Sequence, residues 1–230
     1  MRVAIMQPTF APWLGYFELM SKTDLFIFLD DVEYSHQSWQ ARNWFLQNGE
    51  PILLSVPINK PKMRELICDK TLHNPSFFQK KFKKRFMQMY SHSERLEHYL
   101  SILEQYFSDD DKDLATRNIK MILELSLSLG IKVKCMRSSK IPITGSKSNY
   151  IHSILQFVGA TSYLATPGAK QYMLEYGIEN FPCEIDFNNY QKTLAIDKIS
   201  KHRINFSSIH YLLSDSADKV LNLFGELNEE

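Results

Sequence analysis

RVAIMQPTFAPWLGYFELMSKTDLFIFLDD, residues 2–31, contains a complete strand, turn, helix and strand in thirty positions. Val3, Ala4, Ile5 and Met6 form a short continuous apolar run, and Leu25 to Leu29 forms another. Runs of this kind mark strands covered on both faces, as in a parallel sheet. Between them Leu14, Phe17, Leu19 and Met20 recur at roughly helical spacing, so the stretch predicts a βαβ unit. In a parallel sheet the ligand lies off the carboxyl ends of the strands. Here those ends carry Gln7, Pro8, Thr9, Pro12 and Trp13, then Asp30 and Asp31.

Working outward, the segment VEYSHQSWQARNWFLQNGE reads as a loop rich in Tyr34, His36, Trp39, Arg42 and Trp44, closed by the Asn48-Gly49 turn signal. Ile52 to Ile58 reads as a third strand. Phe78, Phe82, Phe86, Met89 and Tyr90 form an apolar stripe, and Lys80, Lys81, Lys83, Lys84 and Arg85 cover the other faces of the same helix. Ser91 and Glu94 have capping-box spacing for a second helix. The run Ser108 to Asp113 offers alternating carboxylates, but counted from Asp109 a calcium loop would need glycine at Leu114 and glutamate at Lys120. Those acids suit the start of a helix from Leu114 to Leu129, which Gly130 ends.

Lys132 to Met136 predicts a fourth strand. A second βαβ-like unit follows: a loop at Thr144 to Lys147, a helix to Phe157, a strand at Thr161 to Ala165, then Thr166-Pro167-Gly168. Both loops place a lysine, Lys147 or Lys170, at a helix start, where free N–H groups bind phosphate or carboxylate. Cys183 to Phe187 reads as a last strand, with short helices at Ser207 to Leu213 and Asp215 to Phe224. The expectation is one α/β domain over residues 1–230, a parallel sheet flanked by helices, with a helical insertion at about 75–129.

Composition excludes several classes. With 27 basic and 26 acidic residues, no global charge draws the chain to nucleic acid or membrane, and 44% hydrophobic content argues against disorder. Cys68, Cys135 and Cys183 show no C-x-x-C pairing, so reduced thiols rather than a disulfide framework or zinc site are expected. No signal-peptide pattern or membrane span is read, and the expected setting is the cytoplasm without membrane insertion.

Gly145-Ser146-Lys147-Ser148 lacks P-loop spacing, since Lys140 stands where a glycine is required; G-x-G-x-x-G, H-E-x-x-H and G-x-S-x-G are absent. No metal site is expected. The first turn is laid out as in nucleotidyl-transferring proteins of the HUP class, which carry H-x-G-H there. Trp13-Leu14-Gly15-Tyr16 has the similar spacing without the imidazoles, so the layout resembles that class and its chemistry does not transfer.

Four motifs in order, QPTFAPWLGYF at 7–17, DDVEYSHQSWQARN at 30–43, LLSVPI after Asn48-Gly49, and GATSYLATPGAKQYM at 159–173, make the chain similar to the WbqC-like family. That resemblance implies a bacterial setting in O-antigen or other surface-polysaccharide biosynthesis. It further implies transfer of a glycyl or related acyl group to an amino sugar. Members tend to carry L-S-x-x-D-L-L-F near the carboxyl end, where this chain has His210 in place of the acid.

Together these readings predict an enzyme that transfers an aminoacyl group to the amine of a nucleotide-linked amino sugar. Gln7, Trp13, Tyr16 and Trp39 shape the pocket; Asp30, Asp31 or His36 accepts the proton from the amine. Arg42, Asn43, Lys147, Gly168 and Lys170 meet carboxylate or phosphate oxygens. An aminoacyl adenylate made in place would require ATP and Mg2+; a charged tRNA donor would engage the basic helix at Lys80 to Arg85. The alternatives are a non-catalytic sugar-nucleotide binding or scaffold protein, and a nucleotidyltransferase.

Overall fold

A computed structural model of the chain describes residues 1–60, 62–108, 113–193 and 205–229. Strand β1 (Arg2–Met6), helix α1 (Leu14–Ser21) and strand β2 (Leu25–Phe28) form the expected unit, with Val3 to Met6 in parallel register against Leu25 to Phe28. Strand β5 (Lys134–Arg137) adds to β2, and strands β6 (Ser162–Ala165) and β7 (Glu184–Phe187) extend the sheet beyond β1. All five strands are parallel in the order β5-β2-β1-β6-β7. Counted in order of appearance this is 3-2-1-4-5, the doubly wound arrangement whose winding reverses between β1 and β6. The order is compatible with the HUP-like layout read from the first turn.

Alternation along the strands builds two apolar layers. Val3, Ile5, Leu25 and Ile27 face helices α5 (Lys147–Phe157) and α6 (Lys170–Tyr176). Ala4, Phe26 and Phe28 face α1 and the helices that precede β5. Successive side chains on a strand point to opposite faces, so a fully apolar strand is what two covered faces demand.

The third strand departs from expectation. Residues 52–58 do not join the parallel sheet: strand β4 (Glu50–Ser55) pairs antiparallel with β3 (Arg42–Gln47) in a separate two-stranded hairpin. Asn48 and Gly49 both take positive φ, 52° and 78°, as a tight hairpin turn requires. The turn signal was legible; β3 was hidden because Arg42, Trp44 and Leu46 on its outer face obscure the alternation with buried Asn43 and Phe45.

Helices α2 (Pro75–Tyr90), α3 (Leu96–Ser108) and α4 (Leu114–Ser128) supply the helical insertion. Phe82, Phe86 and Tyr90 of the predicted stripe are buried, and Phe45 of the hairpin packs edge-on against Phe86 at 5.3 Å. Ser91 does not cap α3, which begins five residues later at Leu96. Asp113 does cap α4, accepting from Thr116 N at 2.7 Å; residues 109–112 of the acidic run lie outside the described residues. The chain closes with α7 (Ser208–Leu212) and α8 (Ala217–Glu229). Among the described residues no helix is long and apolar enough to cross a membrane.

Candidate functional site

The turn after β1 is fixed from behind by its own carbonyls. Tyr16 Oη donates to Gln7 O (3.3 Å), Asn118 Nδ2 to Pro8 O (3.0 Å), Asn43 Nδ2 to Phe10 O and Ala11 O (3.1 and 2.7 Å), and Ser208 N to Pro12 O (2.7 Å). Phe10 N in turn donates to Trp39 O, and Ala11 holds a φ of +44°. Backbone groups removed from water need such partners, and here side chains provide most of them. Tyr16 and Asn43 thus brace the turn: both are buried, with their polar groups engaged by its carbonyls. Asn118, on α4, is the brace that sequence reading missed.

The two acids after β2 part company. Asp30 is fully buried, and its carboxylate accepts from Arg137 Nε (2.6 Å), Ser139 N (3.0 Å) and Ser139 Oγ (2.9 Å). Arg137 is itself held by Thr116 Oγ1 at 2.8 Å. With its lone pairs taken up in this way, Asp30 clamps the end of β5 to the end of β2 and has no face left for a substrate. Asp31 is less buried, and its two oxygens accept from Ser138 Oγ and from Tyr150 Oη on α5. Burial first, and then the bond to Asp31 and its charge, push the Tyr150 phenol upward, so it stays protonated at neutral pH. Gly145 makes room for this ring: a Cβ there would lie 3.0 Å from Tyr150 Cα.

Two cavities flank the turn. One, about 630 Å³, opens over the carboxyl ends of β1 and β2 and is bordered by Gln7, Leu29, Val32, Lys147, Tyr150 and Tyr172. The other, about 390 Å³, is bordered by Thr9, Trp13, Tyr16, Trp39, Asn43 and Trp44. Both fall in the size range of small-molecule sites. A groove of about 450 Å³ between α3 and α4 lies away from this edge of the sheet. Among the described residues no three His, Cys, Asp or Glu side chains gather to hold a metal ion.

Gln7 reaches the larger cavity, its side-chain oxygen accepting from Gln40 Nε2. Lys147 reaches it too, exposed at the start of α5 with a φ of +53°. His36 does not: it is exposed on the loop and borders neither cavity, so the structure does not bring it to Asp31. Gly168 and Lys170 also stand outside both linings; Gly168 sits in a single tight turn, and Lys170 Nζ lies 5.7 Å from the centre of the Phe187 ring. Thr166 makes no side-chain cap there. On the basic helix, Lys83 pairs with Glu104 and Arg85 donates to Gln47, which leaves less of a continuous cationic face than the sequence suggested.

The cysteines are free. Cys68, near the paired acids, is pushed up to about 11 by burial and then by Asp69, Asp30 and Asp31, so it is a thiol rather than a nucleophilic thiolate at neutral pH. His210 is surrounded by Tyr90, Phe206 and Tyr211, and burial lowers it to about 4; it packs as a neutral ring in contact with Tyr90 Oη at 3.1 Å.

Comparison with known proteins places the chain. It is 24% identical over 198 residues to Uncharacterized protein Rv1507c of Mycobacterium tuberculosis, covering 82% of each chain. No solved structure matches it. The model of the WbqC-like protein family matches residues 7–218, from the turn after β1 into α8, and the chain belongs to the WbqC-like protein family.

Proposed function

We propose that this protein is an aminoacyl transferase, glycyl in its simplest form, acting on the amine of a nucleotide-linked amino sugar in surface-polysaccharide biosynthesis. The observation that supports it best is the Tyr150–Asp31 pair, a protonated phenol on a cavity wall with a carboxylate behind it. In this reading the amine attacks the acyl carbonyl. As the C–N bond forms, the ammonium proton passes to Tyr150 Oη while the phenol's own proton moves to Asp31, and the pair returns a proton to the leaving group as it departs. Lys147 holds a carboxylate or phosphate oxygen, and Gln7 orients the acceptor.

The donor follows from one assay. Purified protein is incubated with labelled glycine and ATP·Mg2+, or with glycyl-tRNA, together with nucleotide-linked amino sugars, and the product is read by mass spectrometry as a gain of one glycyl residue. Glycine-dependent exchange of pyrophosphate into ATP marks an adenylating enzyme. Transfer from glycyl-tRNA alone makes tRNA a partner. Absence of product in every combination overturns the proposal.

A second reading, a non-catalytic sugar-nucleotide binding or scaffold protein, is favoured by one observation: both Asp31 oxygens already have hydrogen-bond donors. It predicts ligand binding without turnover. Nucleotidyl transfer ranks below both, because the first turn presents Trp13 and Tyr16 rather than imidazoles.

A further inference from the structure

The chain has three tryptophans, and all three border the smaller cavity. They come from different elements. Trp13 stands at the start of α1, clamped between Gly15, where a Cβ would lie 2.2 Å from the indole, and the Tyr190 ring at 4.9 Å. Trp44 lies on the outer face of β3, partly buried against the core. Trp39 is 50% exposed on the loop before β3.

Arg42 shares the outer face of β3 with Trp44; it stands outside the cavity's lining, beside it, with its Cζ 5.7 Å from the centre of the Trp39 ring. Its Nε is buried with no hydrogen-bond partner, and none of the ion pairs of the described residues involves it. A buried donor without a partner costs free energy, as does an indole left in water. One ligand would relieve both: a planar π face beside an anion. A neutral sugar ring could cover the indole but would leave the guanidinium unpaired.

We infer that this cavity binds a nucleotide, its base stacked on Trp39 and Trp44 and its phosphate on Arg42. Resting on the proposed function, this assigns the nucleotide part of the acceptor to the tryptophan side of the turn and the reacting amine to the Tyr150 side. Thr9 and Asn205 supply a hydroxyl and an amide at the rim.

Because no tryptophan lies elsewhere, tryptophan emission excited beyond the tyrosine absorption band reports this cavity alone. Nucleoside diphosphates, nucleosides, pyrophosphate and glucosamine are titrated without any acyl donor, with calorimetry as an optically independent readout. Nucleoside diphosphates are expected to quench saturably, with pyrophosphate and glucosamine far weaker. Trp39→Ala should weaken binding about tenfold, and Trp39→Phe should restore most of it, in line with base stacking on aromatic side chains. Arg42→Gln should weaken diphosphates and leave nucleosides unchanged. Quenching by glucosamine equal to that by nucleotides, or nucleotide affinity unmoved in Trp39→Ala, overturns the inference. Binding is scored without turnover, so a failed transfer assay with intact quenching removes the catalytic reading and spares this one.

Discussion

On one side of the turn at residues 7–13, Asp30, Asp31, Arg137, Ser138, Ser139 and Tyr150 meet through hydrogen bonds; on the other, Trp13, Trp39 and Trp44 border one cavity. The polar side is a chain in which each group satisfies the next, so losing one member strands a charge away from water. The aromatic side is held by contact area, so losing one ring opens space without orphaning a partner. One short loop thus separates a hydrogen-bonded wall that tolerates little loss from an aromatic wall that tolerates more.

The sharpest way to break the comparison is Asp30→Ala. It leaves Arg137 facing a vacated site and should cost about 3–5 kcal/mol in a denaturant titration, as removal of one member of a buried pair does. A cost near 1 kcal/mol would mean that water reaches the network and that the two sides do not differ in kind.

Acidification tests the packing around α7, where the aromatic logic meets a titratable group. His210 is lowered to about 4 by burial, below its ordinary value of 6.5. The unfolded chain therefore binds the extra proton first. Stability from the neutral ring is complete above pH 6.5 and is lost as the pH falls toward 4, by roughly 3 kcal/mol across the window. His210→Gln should flatten the Tm against pH profile over that interval; an unchanged profile would place the acid-labile group elsewhere.

Gly15→Ala attacks the aromatic side directly, since the new Cβ would lie 2.2 Å from the Trp13 indole. The ring must move, at a cost of about 1–3 kcal/mol. The change should weaken nucleotide quenching while sparing the far cavity. Smallest in stability is Tyr150→Phe, about 1 kcal/mol for one hydrogen bond, yet the proposed function gives it the larger kinetic effect. It should lower kcat by about 100-fold with little change in KM, and Trp39→Ala should do the reverse. Equal effects of both on KM alone would favour the binding-protein reading.

Residues 2–31 were legible because their signals are local: apolar runs of strand length, helical spacing between them, and turn residues at the joints. That two acids closed β2 was also plain, as was the rule that adjacent residues point apart. Which acid is buried against Arg137 and which pairs with Tyr150 was not. The partners of Asp30 stand 107 to 109 residues away in sequence, and no periodicity announces them. Arg137 fell just past the strand expected at Lys132 to Met136, and Tyr150 lay unmarked in the helix running to Phe157. His36 looked equivalent to Asp31 only because a polar loop gives no hint of which way it turns.

The sequence by itself determined the sheet's first three elements, the hairpin turn at Asn48-Gly49 and the apolar face of α2, since each follows from spacing within a few residues. Tertiary structure alone decided that tryptophans at 13, 39 and 44 share one cavity, that Asn43 and Asn118 hold the turn, and that the acids divide their roles. The reason is physical: secondary structure is fixed by neighbours along the chain, whereas a site is fixed by which side chains the packed core brings face to face.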